Sequence, residues 1–181
     1  MSATMRTRCT FVALSVAVLV ASPASTAERF RAIQVRTGGA PGKGMIRLSI
    51  TIRDYTNDAE AKALQQADQR GGSAAVLDAL RTMDHGSVTL TGGETAAIHA
   101  AHPYPTASGR RIVLVCSPPP AVTPPSGERT VRVVELRVDH EDRGDGRLID
   151  AARVRLDDHG FLDVDGSLTT PKMLTEVKLE K

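Results

Sequence analysis

Acidic residues crowd residues 157–166, where their spacing partly matches that of a metal-binding loop. Asp157, Asp163 and Asp165 are the best candidate ligands, and Gly166 follows them as a glycine follows the first oxygen ligands of a calcium loop. The remaining ligands of such a loop are missing, and strand-like sequence flanks the cluster where helices are required. We therefore expect solvated hairpin turns here, and the sequence predicts no metal ion and no other cofactor.

Two histidines and a cysteine offer other chemistry. On a helix, His99 and His102 would share a face as zinc ligands do, but the surrounding residues alternate as a strand and should send the two rings to opposite faces. Cys116 ends an apolar segment, where a free cysteine is commonly buried and a nucleophile would need a neighbouring base. The sequence also lacks a Gly-x-Ser-x-Gly elbow and a phosphate-binding glycine loop. No catalytic residue is predicted.

The elements that would position these residues are mainly strands. Ile46, Leu48, Ile50 and Ile52 alternate with polar residues, which is the pattern of a strand with one buried face. Residues 112–116 are all apolar, which predicts a central strand covered on both faces. Segments of strand character are found at residues 30–36, 46–53, 87–90, 96–102, 110–116, 130–138, 147–156, 161–164 and 173–179.

Irregular positions and connections refine this picture. The apolar residues change face between Val133 and Val134, which predicts a bulge there. The glycine-bearing turns at residues 141–146 and 157–160 are too short for parallel crossovers and indicate antiparallel hairpins. The proline-rich residues 117–128 should be extended and unpaired.

Helical sequence follows the second strand. Asn57 or Asp58 would cap a first helix that ends at Gly71-Gly72, and Ser73 would cap a second helix. The sequence therefore predicts an α+β fold. We expect a mainly antiparallel sheet of about eight or nine strands, forming a barrel or a sandwich, with two short helices inserted after the second strand.

The first 27 residues have the parts of a cleavable secretory signal peptide. Arg6 and Arg8 give a basic start, residues 11–21 are almost wholly apolar, and small residues precede a cut between Ala27 and Glu28. The apolar run is shorter than the roughly 20 residues that a membrane-spanning helix needs. We therefore expect a secreted or periplasmic protein in which residues 28–181 form a single β-rich domain, without stable membrane insertion after cleavage.

Cleavage would change both the charge and the cysteine content. The chain has 23 Lys and Arg against 21 Asp and Glu, and loss of the two signal arginines leaves the classes balanced. A neutral domain lacks the basic surface that nucleic acid or an anionic membrane requires. Cys9 lies in the signal, so Cys116 is left alone and no internal disulfide is expected.

Three functional hypotheses remain. The first is an exported non-catalytic domain that acts through contacts with a protein partner, in the cell envelope or outside the cell. The second is a carrier that holds a small apolar ligand in a β-barrel cavity. The third, a hydrolase, has no sequence motif in its favour.

Short motifs along residues 28–181 also carry a family resemblance. They are Phe30-Arg31-Ala32-Ile33, Gly42-Lys43-Gly44, Leu77-Asp78-Ala79-Leu80, Gly109-Arg110-Arg111-Ile112-Val113-Leu114, Val134-Glu135-Leu136-Arg137, Gly144-Asp145-Gly146-Arg147-Leu148 and Leu174-Thr175-Glu176-Val177-Lys178. With them the chain resembles a family of small secreted bacterial proteins that has no assigned activity. The family's turn after the Ile112 strand contains Asp-Arg-Pro, whereas this chain has Ser117-Pro118-Pro119. The resemblance implies a secreted protein, and it implies no catalytic or binding residue.

Overall fold

The computed structural model describes residues 27–35, 45–119 and 130–180. The proposed signal up to residue 26, the turn at residues 36–44 and most of the proline-rich connection lie outside these ranges, as do the predictions made for them. In chain order the elements are β1 (Glu28–Val35), β2 (Met45–Ile52), α1 (Asp58–Leu80), β3 (Gly86–Leu90), β4 (Thr95–Thr106), β5 (Gly109–Cys116), β6 (Val131–Asp139), β7 (Arg143–Leu156), β8 (Leu162–Ser167) and β9 (Lys172–Leu179).

Eight of these strands close into an antiparallel barrel. Strands that are consecutive in the chain pair with each other from β1 to β7, and β9 pairs with both β7 and β1, which completes the ring. Strand β8 pairs only with the second half of β7 and lies outside the ring. The predicted antiparallel, mainly β fold is confirmed, and of the two expected forms the barrel is the one found.

Alternate residues of the eight barrel strands fill the interior of the barrel. The alternation predicted for β2 is confirmed, because Leu48, Ile50 and Ile52 all belong to this inner cluster. The other strands contribute Phe30, Ala32, Val88, Leu90, Ala96, Ile98, Ala101, Ile112, Leu114, Cys116, Val134, Leu136, Val138, Leu148, Leu174 and Val177. The interior is therefore an apolar core, which is one of the two forms that barrels of eight strands take.

A second apolar layer lies between α1 and the outside of the barrel. Leu64, Val76 and Leu80 of the helix pack on alternate residues of β4 to β8, among them Val113 and Val115. This layer explains why residues 112–116 are apolar at every position: the strand has the core on one side and the helix on the other. The prediction of a strand buried on both faces is confirmed.

The bulge predicted near Val133 and Val134 is absent from that position of β6, and the outer apolar layer explains the sequence pattern there. Val133 packs under the helix and Val134 packs inside the barrel, so the change of face is ordinary alternation with both faces covered. The pairing of β6 with β5 runs without a shift over residues 132–139. A register shift occurs instead in the pairing with β7, between Val131 and Val133.

One helix is present where the sequence predicted two. Asn57 caps it, since its side chain accepts the N–H groups of Ala59 and Glu60 while the Glu60 carboxylate accepts the N–H of Asn57. Gly71 and Gly72 leave helical φ and ψ angles, but the chain returns to the helix at the next residue. The interruption predicted at Gly71-Gly72 is therefore present as a kink, and the segments on its two sides form the one element α1.

The close approach of β7 to β6, which closes the barrel, can be tested by mutation of Gly144. A Cβ added there would lie 1.9 Å from the carbonyl oxygen of Arg137 on β6, so an alanine would force the closing strands apart. We expect Gly144→Ala to lower the free energy of unfolding by about 2 kcal/mol or more. Gly166→Ala is the matched control, because a Cβ at Gly166 meets no atom within 4 Å. Urea unfolding measures both, and equal stability of the two variants would contradict the prediction.

Candidate functional site

The three candidate metal ligands have separate structural roles. Asp157 accepts two backbone N–H groups of its own turn at 2.9 Å each. Asp163 accepts a hydrogen bond from Arg111 at 3.0 Å, and Asp165 is exposed. Within the described ranges, no three His, Cys, Asp or Glu side chains are grouped so that they would hold a metal ion. The hairpin uses these carboxylates to shape its turn and to bind an arginine.

His99 and His102 lie on the same side of the sheet, contrary to the prediction. Ile98 faces the barrel interior and Ala100 faces the outer layer, so the alternation is broken between them. The pairing of β4 with β5 shifts register at the same place. This bulge turns both imidazoles outward, although each has its own set of partners.

The side chain of Cys116 lies on the opposite side of the sheet from both histidines. It lies inside the barrel, it is fully buried, and it is a free cysteine. Burial raises the pKa of Cys116 to about 12, so its thiol stays protonated at neutral pH. A thiolate nucleophile at Cys116 is therefore unsupported, in agreement with the prediction that this residue belongs to the core.

An arginine closes the end of the barrel at which β1 begins. Arg110 donates to Glu28 at 3.0 Å and to Asp142 at 2.8 Å, and its guanidinium lies 5.7 Å from the centre of the Phe30 ring. Tyr55 donates to Glu28 at 2.9 Å. Burial, followed by the Glu28 carboxylate, raises the pKa of Tyr55, so the phenol remains a neutral donor. These contacts fix the start of β1 to β5, to the turn between β6 and β7, and to the segment between β2 and α1.

Charged side chains occupy the opposite end of the barrel. The side chain of Arg132 is only 3% exposed, and its Nη2 atom lies 2.7 Å from Glu94. Its Nε atom lies 3.3 Å from Asp150, which also pairs with Lys172. A buried charge needs such partners, because its desolvation is costly. Charged groups with their partners thus lie at both ends of the barrel, and the inner apolar cluster lies between them.

The outer face of β9, β1 and β2 carries an apolar row that remains open. Met45 is 71% exposed, Met173 56% and Val35 44%. Met45 pairs with Val35 across β2 and β1, and Met173 pairs with Arg147 across β9 and β7. The register that pairs Gln34 with Leu174 brings Val35 beside Met173. We call Met45, Val35 and Met173 the apolar row.

A groove of about 1010 Å³ lies further along the same face, and two of its lining residues, Ile33 and Arg47, lie two positions from Val35 and Met45 in β1 and β2. Its basic lining residues are Arg31, Arg47, Arg143 and Lys178, and its acidic ones are Glu141, Glu176 and Glu180. Arg31 is paired with Glu180, whereas Arg47, which is exposed, makes no ion pair with any described residue. The groove therefore offers a guanidinium to an external partner.

The apolar row was not among the residues singled out from the sequence, although one signal was available. Ile46, Leu48 and Ile50 set the inward phase of β2, and Met45 lies next to them in the outward phase. An outward methionine beside an outward arginine indicates an exposed apolar position. The sequence alone does not show that Met173 lies beside Val35 and Met45, because this placement depends on the pairing of β9 with β1 and β7.

No protein-family model, curated protein or solved structure matches this chain. Among the described residues, no helix combines the length and the apolar character that crossing a membrane demands.

His102 generates a prediction about pH. Its ring stacks on Phe161 with the ring centres 3.7 Å apart, and burial lowers the pKa of His102 below its ordinary value of 6.5. The unfolded chain therefore binds a proton more readily than the native one, and stability is lost as the pH falls below about 6.5. We expect His102→Gln to lose less unfolding free energy than wild type between about pH 7.5 and pH 5.5.

The measurement is urea unfolding at both pH values. His140→Gln, in an exposed turn, is the control and should keep the pH dependence of the wild type. If His102→Gln also keeps the wild-type pH dependence, the loss of stability at low pH does not come from His102.

Proposed function

We propose that this protein is an exported binding module that recognises an acidic protein partner through the apolar row and the arginines beside it. One observation carries the proposal. The large apolar side chains that are exposed in the described part of the chain all belong to this row on one face of the barrel. Isolated exposed apolar residues are ordinary, whereas a contiguous set rimmed by polar groups is typical of an interaction site.

The chemistry of the row suits a protein partner. Methionine side chains are flexible and polarisable, so Met45 and Met173 would adapt to an apolar surface of irregular shape. Arginine and methionine are both enriched at the core of protein interfaces. A small polar ligand would make little use of a row of three neighbouring apolar side chains on an open sheet.

The charges around the row favour an acidic partner. Arg47 pairs with Ile33 in the ladder, one position further along the face from Val35, and its guanidinium is unpaired in the described part of the chain. Arg147 lies at the other end of the row and donates to the buried Glu135 at 2.8 Å, so it holds its position without engaging an exposed acid. Carboxylates of a partner would form ion pairs with the guanidinium groups of both arginines.

The packed barrel weighs against the carrier hypothesis. A carrier of this size needs an enclosed apolar cavity. Here the inner cluster fills the described interior, while Arg110 and Arg132 occupy the two ends with their acidic partners. A ligand would have to displace buried side chains and ion pairs together.

Export is supported by the position of the proposed cut. Cleavage after Ala27 would make Glu28 the first residue of the mature chain, and Glu28 is also the first residue of β1. Its carboxylate is held by Arg110 and Tyr55. The cut would therefore leave the barrel complete, with its first strand anchored from the first residue.

Replacing the methionines separates binding from stability. We expect Met45→Ser with Met173→Ser to change the free energy of unfolding by no more than about 0.5 kcal/mol per site, since both side chains are largely exposed. Affinity for the partner should fall by about tenfold or more, as for other central apolar contacts. Urea unfolding and titration of the purified partner measure the two effects.

Site-specific photo-crosslinking would identify the partner. A photoreactive residue at position 45 should give one discrete adduct with an acidic protein in the native extracytoplasmic fraction, and a photoreactive residue at the exposed position 69 on α1 should not. Arg47→Glu should abolish the adduct, whereas Arg70→Glu on the helix should preserve it. The same adducts at positions 45 and 69, or a second copy of this chain as the adduct, would exclude the proposed partner.

A further inference from the structure

A serine and a histidine form a hydrogen-bonded pair on the side of the barrel that carries α1. Nδ1 of His99 lies 2.9 Å from the carbonyl oxygen of Met83, and Nε2 lies 2.8 Å from Oγ of Ser117. A carbonyl oxygen only accepts, so Nδ1 must carry the proton of the neutral ring. The bare Nε2 atom then accepts the hydroxyl proton of Ser117.

The three groups have the order of contacts found in nucleophilic serine sites. There, a hydroxyl donates to a histidine, and a third group on the far ring nitrogen fixes the tautomer and the orientation of the ring. The carbonyl of Met83 supplies that third group here. Its own turn is held by the N–H of Met83, which donates to Leu80 at 2.9 Å.

Rigid elements hold both side chains. His99 lies in β4 at the bulge next to Ile98, which turns its ring outward. Ser117 directly follows β5, and its N–H donates to the carbonyl oxygen of Ala97 at 3.0 Å. The pair is thus positioned by two adjacent strands of the sheet, as an effective site requires.

A small cleft opens beside the pair. It has a volume of about 80 Å³ and is lined by Leu77, Leu80, Val131 and Arg81 in addition to His99 and Ser117. A cleft of this size favours a short acyl chain over a long one. The guanidinium of Arg81, which is largely exposed and pairs with Asp78 at 3.1 Å, also lines this cleft.

We propose that Ser117 and His99 hydrolyse esters of short acyl groups. Oγ of Ser117 attacks the carbonyl carbon while Nε2 of His99 takes the hydroxyl proton. The bond to the alcohol oxygen then breaks, and His99 returns the proton to the departing alkoxide. Water attacks the acyl-Ser117 ester and gives a proton to His99, which returns it to Oγ as the carboxylic acid is released. This activity is separate from partner binding, which uses the opposite face.

The test uses the purified protein, residues 28–181, with p-nitrophenyl acetate and p-nitrophenyl octanoate as probes. We expect acetate turnover to exceed octanoate turnover. Ser117→Ala and His99→Asn should each lower kcat/KM for the acetate by about 100-fold or more, which is the usual contribution of a nucleophile and its base. Ser49→Ala, an exposed serine on the uncovered face, should keep the wild-type rate.

Labelling of the wild-type protein makes the test independent of whether a variant folds. A fluorophosphonate should modify Ser117, as located by mass spectrometry of the digested protein, and His99→Asn should lose the modification. Equal acetate hydrolysis by wild type and a folded Ser117→Ala variant would overturn the proposal. So would a wild-type protein that remains unlabelled or is labelled at another residue.

Discussion

Strand β7 makes the hydrogen bonds on which the barrel depends. Its first half lies between β6 and β9, so it joins the last strand of the chain to the strands before it. Gly144 and Gly146 make this approach possible, because a Cβ at either position would lie within 2.5 Å of a carbonyl oxygen of β6. The second half of β7 leaves the ring and pairs with β8. Closure therefore rests on two residues without side chains at the seam.

Closure determines where chemistry is available. In this barrel the inner cluster of apolar side chains occupies the interior, and the two ends are occupied by Arg110 and Arg132 with their carboxylates. Ligands and partners must then bind to the outer surface of the barrel. The outside is itself divided: within residues 27–35, 45–119 and 130–180, α1 and β8 cover β4 to β7, whereas exposed side chains lie on β9, β1 and β2.

The two proposed sites lie on these two halves and differ in their physics. The open half offers apolar area and, at Arg47, a guanidinium that makes no ion pair with a described residue, which suits a protein surface. The covered half offers a polarised hydroxyl in a cleft that the helix narrows, at His99 and Ser117. Each site uses outward residues of strands whose inward residues build the core. The barrel serves as a rigid support for both.

Local sequence pattern determined the nature of the strands, because alternation records which face of a strand is buried. It identified the inward phase of β2, the doubly covered segment at residues 112–116 and the core position of Cys116. Pairing between segments that are distant in the chain decided which outward side chains lie next to each other. The bulge that turns His99 outward, the meeting of His99 with Ser117 and the alignment of Met173 with Val35 all depend on register across strands. Register between strands that are distant in the chain depends on which faces of both strands are buried together, and one short stretch of sequence describes only one of the two strands.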